Sequence, residues 1–367
     1  MSERRLSAVV LAAGEGSRMR STRPKPLHLL CGRAMVLYVL DALPAAEIDH
    51  AVVVVGHGAE RVTKKLTEDS AGLRLEFVEQ AVQRGTGDAV AVGLTGLPDD
   101  DLDDDVDLLV LPGDTPLLRA RTVADLVAEH RHSGAACTIL TARFGDPTGY
   151  GRIVRLGKDD RVARIVEQRD AAPDELEIDE INTGIFCFRR SLLAPALRMV
   201  HPDNAQGEYY LTDVVEVLAD AGHRVVTVVA ADADETHGIN DRAQLAHAEA
   251  ELRARTNAEW LARGVTMVDP ASTYVDTTVS LAADVTLFPG TILQGRTTIG
   301  AGVEIGPGCR LVDCTVGEHT TLEHTVARLS TIGDDCVVGP YAALEPGTDL
   351  PTGTRTGAFY TSGTATR

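Results

Sequence analysis

Apolar and polar residues change rhythm twice along this chain. From residue 6 to about 230, short apolar runs recur between stretches of helical spacing. Ala8 to Ala13 is wholly apolar and ends at a glycine. It is followed by "AVVVVG" from Ala51, "LRLEFVE" from Leu73, "DLLVLPGD" from Asp107, "CTILTARF" from Cys137, "TGIFCF" from Thr183 and "RVVTVVAA" from Arg224. Such runs read as buried strands, and strands alternating with helices predict an α/β, doubly wound, mostly parallel sheet of the Rossmann-like kind. Asp241 to Ala262, rich in Ala, Leu, Glu and Arg, predicts one long helix. Beyond it the period changes to six. Leu281, Leu287, Leu293, Ile299, Ile305 and Leu311 keep strict step, Val316 and Leu322 resume it, and Ile332, Val338, Leu344 and Leu350 continue it. Four positions after each stands Val, Thr, Cys or Ala. A hexapeptide repeat of this kind predicts a parallel β-helix whose coils stack aliphatic residue on aliphatic residue. The short steps at 311 to 316 and 322 to 332 predict irregular corners or a small loop. The expected organisation is an α/β domain over 1–240, a linker helix over 241–265 and a hexapeptide-repeat β-helix over 266–367, with about four coils at three hexapeptides per turn.

Composition narrows what such a chain can do. Its net charge of −19 over 367 residues argues against a nucleic-acid or anionic-membrane surface, which needs basic patches. No apolar stretch approaches the length of a membrane span. The N-terminal "MSERRLSAVVLAAG" has two arginines before an apolar run, as a signal peptide does, but the run is short and leads into a charged loop, so it reads as the first strand. Six scattered cysteines, with no Cys-x-x-Cys pair, fit a reduced cytoplasmic protein. The acidic run "DDDLDDD" at 99–105 reads as a solvated loop rather than a metal site.

The chemistry is concentrated behind the first strand, in "LAAGEGSRMRSTRPKPLH" at 11–28. Gly14 and Gly16 allow backbone N–H groups to come close to an anion, and Arg18 and Lys25 can meet it with full charges. The spacing is neither the Walker nor the Rossmann pattern. "LPGDTPLL" sets Asp114 just past another apolar strand, at the same sheet edge if the sheet is parallel, and a carboxylate there suits Mg²⁺.

With these come "PKPLH", "EQAVQRGTGDA", "GDTPLL", "PTGYGRI", "IVEQRDA", "EINTGI", "NAQGEYYLTD" and "GINDRAQL". In that order they resemble the bifunctional N-acetylglucosamine-1-phosphate uridylyltransferase / glucosamine-1-phosphate acetyltransferase family. The resemblance covers the whole first domain and the linker and continues into the β-helix. It implies a Mg²⁺-dependent reaction of UTP with N-acetylglucosamine 1-phosphate, giving UDP-N-acetylglucosamine and pyrophosphate. Carried over by position, it implies that Leu11, Ala13, Gly14, Gly16 and Thr86 approach the nucleotide, that Arg18 and Lys25 hold its phosphates as the catalytic cations, and that Gln80 and the Gly85 backbone read the uracil edge. It implies Asp114 and Asn240 as Mg²⁺ ligands, and Gly151, Glu167, Asn182, Tyr210 and Thr212 as the sugar side of the cleft. The implied partners are small-molecule substrates, with a homotrimer through the β-helix as the assembly.

The sequence also departs from that family. "LEPG" puts Glu345 where the family has a phosphate-binding arginine, so an anion would meet a like charge. The chain stops at Arg367, before the family's acetyltransferase residues, and loss of that second activity is expected. Asp88 stands where histidine is usual, Pro26 is added, and Pro112 precedes "GD". These departures leave two alternatives: a pathway-dedicated enzyme for another sugar or cyclitol phosphate, and a non-catalytic scaffold.

Overall fold

The computed structural model describes residues 5–70, 72–98, 106–157 and 161–363. The acidic run at 99–105 and the first four residues of the N-terminal segment lie outside them. The chain divides into two compact units, one formed by residues 1–28 and 34–244 and the other by residues 29–33 and 245–367.

The first unit is built on strands β1 (Arg5–Ala12), β2 (His50–Val55), β3 (Arg74–Glu79), β4 (Val106–Pro112), β5 (Cys137–Arg143), β6 (Arg152–Leu156), β7 (Arg161–Val166), β8 (Glu180–Arg189) and β9 (Val225–Val229). They lie in the order β9-β5-β8-β4-β1-β2-β3, with the β6/β7 hairpin joined to β8. β1 pairs in parallel with β2 and with β4, β2 with β3, and β5 with β9. β8 runs antiparallel between β4 and β5, a direction that its apolar run did not disclose.

Helices cover both faces, which is why the central strands are buried at successive positions rather than at alternate ones. Ala8, Val10 and Ala12 of β1 pack with α1 (Met35–Asp41), α2 (Ala59–Asp69) and α4 (Ala120–Ser133). Val9, on the other face, shares a core with α3 (Thr86–Leu94), α5 (Arg190–Leu197) and α6 (Asp213–Asp220). β1 therefore sits where the chain turns to one side through β2 and to the other through β4. The crevice outside the carboxyl ends of β1 and β4 is where open α/β sheets take ligands.

A last helix, α7 (Arg242–Ala262), begins at the end of the first unit and runs into the second. There Asn257 Nδ2 donates to the carbonyls of Pro270 at 2.9 Å and Thr273 at 3.0 Å, and Trp260 packs on the core of the repeats.

The repeats form three parallel five-stranded sheets, the architecture of a left-handed hexapeptide β-helix. One sheet stacks Met267, Leu287, Ile305, Leu322 and Val338, and another stacks Leu281, Ile299, Val316, Ile332 and Leu350. The remaining sheet stacks Val275, Leu293, Leu311, Ala327 and Leu344. Five strands per sheet exceed the expected four coils. Of the irregular corners or small loop expected between 322 and 332, the structure has irregular corners, with Ala327 between them. The coil is continuous there, and an alanine fills the aliphatic slot in a turn shortened to sixteen residues between Leu311 and Ala327. The shortening also moves the second inward position, so that Cys314 and Thr325 are buried while Thr315 and Val326 face outward. Thr and Cys suit those inward corners because they serve the backbone of a neighbouring coil. Thr320 Oγ1 donates to the Gly333 carbonyl at 2.8 Å, and the Thr325 N–H donates to Cys309 Sγ at 3.2 Å. All six cysteines of the protein are free and buried. Among the described residues no helix is long and apolar enough to cross a membrane.

Candidate active site

At the mouth of the crevice lies a cleft of about 650 Å³, within the size range of small-molecule sites. Leu11, Ala13, Gly14, Lys25, Gln80, Gly85, Thr86 and Asp114 line it. β1 delivers the loop: Gly14 has no atom near where a Cβ would stand, so its backbone is open to a ligand. Gly16 has φ +64°, and a Cβ there would lie 2.7 Å from Lys25 Cβ. Only glycine lets the loop turn and bring Lys25 alongside. β4 delivers Asp114 on the other side of β1, and the Gly113 N–H donates to the Leu11 carbonyl at 2.9 Å, tying the two strand ends together.

Asn240 joins them from far along the chain. The Ile239 N–H donates to the Asp114 carbonyl at 2.9 Å, and Gln244 Oε1 accepts from the Asn240 N–H at 2.6 Å. Lys25 Nζ forms a short ion pair with Asp114 and donates to Asn240 Oδ1 at 2.9 Å. Arg18 donates to the same Asn240 oxygen at 3.0 Å. Two hard oxygens from separate segments thus converge on one cationic atom. Among the described residues no group of three or more His, Cys, Asp or Glu side chains could hold a metal. The pair instead suits an ion such as Mg²⁺, which keeps several waters and uses one or two protein oxygens together with substrate phosphates.

Elsewhere in the cleft, Gly85 has φ +109°, and a Cβ there would lie 2.5 Å from the Tyr209 carbonyl oxygen, so this position again admits only glycine. Thr86 opens α3, and its Oγ1 accepts from the Leu211 N–H at 3.0 Å. Gln80 is nearly buried, and its amide is held by Asp88 and the Gly85 carbonyl.

Four of the five residues expected on the sugar side form a connected group, and Tyr210 lies beside it. The Asn182 N–H donates to the Gly151 carbonyl at 2.8 Å, and Thr212 Oγ1 donates to Glu167 Oε1 at 3.1 Å. A Cβ on Gly151 would stand 3.4 Å from that same Glu167 oxygen. Burial pushes the Glu167 carboxyl above its ordinary range, with Asp213 and Asp170 adding to the rise and the Thr212 bond opposing it. Tyr210 is buried, its phenol is pushed up first by that burial, and its oxygen accepts from Gln206 Nε2 at 2.7 Å. Glu167 and Tyr210 line a neighbouring hollow of about 390 Å³ together with Asp170 and Asp213, rather than the wall of the main cleft.

Two further residues escaped the sequence reading. Tyr150 lies in the field of Asp114 and takes a hydrogen bond from the Gly238 backbone, while burial raises its phenol. His237 stacks on Phe144, with ring centroids 4.4 Å apart, and so fixes the segment that leads into Asn240. Tyr150 sits inside "PTGYGRI", so the motif contained the signal, whereas nothing local marks His237.

A crevice at the β1/β4 switch, with a glycine loop, two cations and a paired carboxylate and amide, defines a nucleotidyltransferase cleft. The nucleotidyl transferase family profile matches residues 7–261. The bifunctional protein GlmU of Streptomyces avermitilis is 47% identical over 355 residues, covering 96% of this chain and 72% of that protein. The GlmU proteins of Desulfitobacterium hafniense and Brevibacillus brevis are each 44% identical, covering 96% and 97% of this chain and 75% of their own lengths. The chain belongs to the nucleotidyl transferase family and, within it, to the GlmU family.

Proposed function

We propose that the protein is a sugar-1-phosphate nucleotidyltransferase that joins UTP and N-acetylglucosamine 1-phosphate to give UDP-N-acetylglucosamine and pyrophosphate. The observation that carries this reading is the meeting of Lys25, Arg18, Asp114 and Asn240 beside the open backbone of Gly14. A phosphate oxygen of the sugar phosphate attacks the α-phosphorus of the nucleotide. A new P–O bond forms, the bond from that phosphorus to the bridging oxygen breaks, and pyrophosphate leaves. No protein nucleophile takes part, so catalysis consists of alignment and charge stabilisation. Lys25 and Arg18 offset charge on the phosphates, the backbone at Gly14 lets them come close, and Gln80 with the Gly85 backbone holds the base. Asp114 and Asn240 are the residues that would hold Mg²⁺, which supplies Lewis-acid charge stabilisation to the phosphates when bound. Glu167, Asn182, Thr212, Gly151 and Tyr210 hold the sugar side, with the buried Glu167 carboxyl positioned by Thr212.

In the β-helix, Glu345 sets an exposed carboxylate where the resemblance expects an arginine for a phosphate, and we assign no acetyl transfer to these coils. The β-helix then serves assembly, for which a trimer is the reading that the resemblance suggests.

The test is a pyrophosphate-release assay with Mg²⁺ across four nucleoside triphosphates and a panel of sugar and cyclitol 1-phosphates. UTP with N-acetylglucosamine 1-phosphate is expected to give the highest kcat/KM. Turnover with another sugar phosphate alone would reassign the sugar, and none with any pair would leave a scaffold. Incubation with acetyl-coenzyme A and glucosamine 1-phosphate is expected to release no thiol.

A further inference from the structure

Gln80 follows directly on β3, and its N–H donates to the Val55 carbonyl at 2.8 Å. Its side chain ends in the cleft. Nε2 donates to Asp88 Oδ2 at 2.7 Å and to the Gly85 carbonyl at 3.3 Å. Both partners can only accept, so the amide has a single satisfactory orientation. Turning it over would set its oxygen against a carboxylate and a carbonyl. With Nε2 held, Oε1 is the end of Gln80 that remains for a ligand.

Asp88 is itself braced. Arg84 pairs with its other oxygen at 3.0 Å, its side chain is only 13% exposed, and it stands in the first turn of α3. An acidic group in that turn is favoured by the helix dipole, so the position holds a carboxylate at little cost. The low exposure leaves the Gln80 bond poorly screened by solvent.

We propose that Asp88 is a specificity-positioning residue: by holding the Gln80 amide in one orientation, it makes the cleft present a fixed hydrogen-bond acceptor to the base. A fixed acceptor suits uracil, whose N3 carries a proton. It opposes cytosine, whose N3 is itself an acceptor and would need the amide turned over. A polar site built for one hydrogen-bonding pattern rejects the mismatched pattern strongly, because its own group is then left unpaired. The inference rests on the reading of Gln80 as the residue that contacts the base.

The experiment measures kcat and KM for UTP and for CTP with the full-length protein and its Asp88→Ala, Asp88→Asn and Gln80→Ala variants. Asp88→Ala is expected to lower the UTP-to-CTP ratio of kcat/KM about tenfold or more, through KM more than kcat. Asp88→Asn keeps the size but offers a carboxamide that can face either way, so it relaxes the ratio too and decides the matter if the alanine variant does not fold. A purely structural role in α3 would lower the melting temperature and affect both nucleotides alike. An unchanged ratio in both Asp88 variants, with a collapsed ratio in Gln80→Ala, overturns the role of Asp88 alone. An unchanged ratio in all three overturns the Gln80 reading as well.

Discussion

Lys25 acts as a counterion before any substrate arrives: it neutralises Asp114 and shares Asn240 Oδ1 with Arg18. Removing it leaves the Asp114 carboxylate without its cation and, on the proposed mechanism, takes away a phosphate partner. Lys25→Ala and Asp114→Asn are each expected to lower kcat by about 10²-fold, the scale of losing one transition-state charge stabiliser. Melting temperatures measured alongside should stay near that of the wild type, because both groups line the cleft rather than the apolar core. A Lys25→Ala enzyme with near wild-type kcat would remove the glycine loop from the mechanism. At this scale the sequence was informative wherever chemistry was local. Gly14, Gly16, Lys25 and Asp114 could be picked out because each follows an apolar strand. Asn240 could be picked out only by resemblance, since the backbone bond from Ile239 to Asp114 spans more than a hundred residues. The partnership of Gln80 with Asp88 was not legible either, because a side chain's orientation depends on neighbours brought together by the fold.

α6 shows how an element carries the electrostatics of the hollow that Glu167 and Tyr210 line. Asp213 at its start is pushed up to about 6, first by burial and then by Glu216 and Asp170. Because the folded value lies above the ordinary 3.8, the folded protein holds this proton more tightly than the unfolded chain. Its contribution to stability is therefore present at low pH and is lost as the pH rises through about 6. Asp213→Asn should be more stable than the wild type at pH 8, by a margin that shrinks as the pH falls from about 7 to about 4. Melting temperatures of both proteins across that range check it, and a margin independent of pH would show that Asp213 is not strained by ionising. Elements were legible in proportion to how apolar they are. Each of the seven apolar runs became a strand of the main sheet. The β6/β7 hairpin was missed because arginines at 152, 155, 161 and 164 break up its pattern, even though Arg152 is buried and Arg155 pairs with Glu180 at 2.8 Å. In the β-helix, Ala327 escaped because alanine alone does not mark an aliphatic slot. Ala327→Leu should overpack that shortened coil and cost about 1–3 kcal/mol in a denaturant titration. A neutral or stabilising result would mean that the slot has room to spare.

At the scale of the molecule, the two units have separate apolar cores, two layers around the main sheet and one column inside the coils. In calorimetry, Ala327→Leu should therefore lower a transition belonging to the coils while nucleotidyl transfer continues at the wild-type rate below it. Arg18 and Lys25 meet at Asn240 in a chain whose net charge is −19.

The burial of every thiol has a practical consequence for anyone who wishes to watch this protein move. Alkylating probes react with thiolates that they can reach. Here Cys31, Cys137, Cys187, Cys309 and Cys314 are all pushed above the ordinary thiol value, with burial the largest cause in each. Cys336 is enclosed in the coils. The folded wild-type chain should take up almost no maleimide at neutral pH, as read by intact mass, and should take up six equivalents in denaturant. It would then serve as its own cysteine-free background, so that one thiol introduced at an exposed site such as Glu15, on the rim of the cleft, could carry a fluorophore without any native cysteine being replaced.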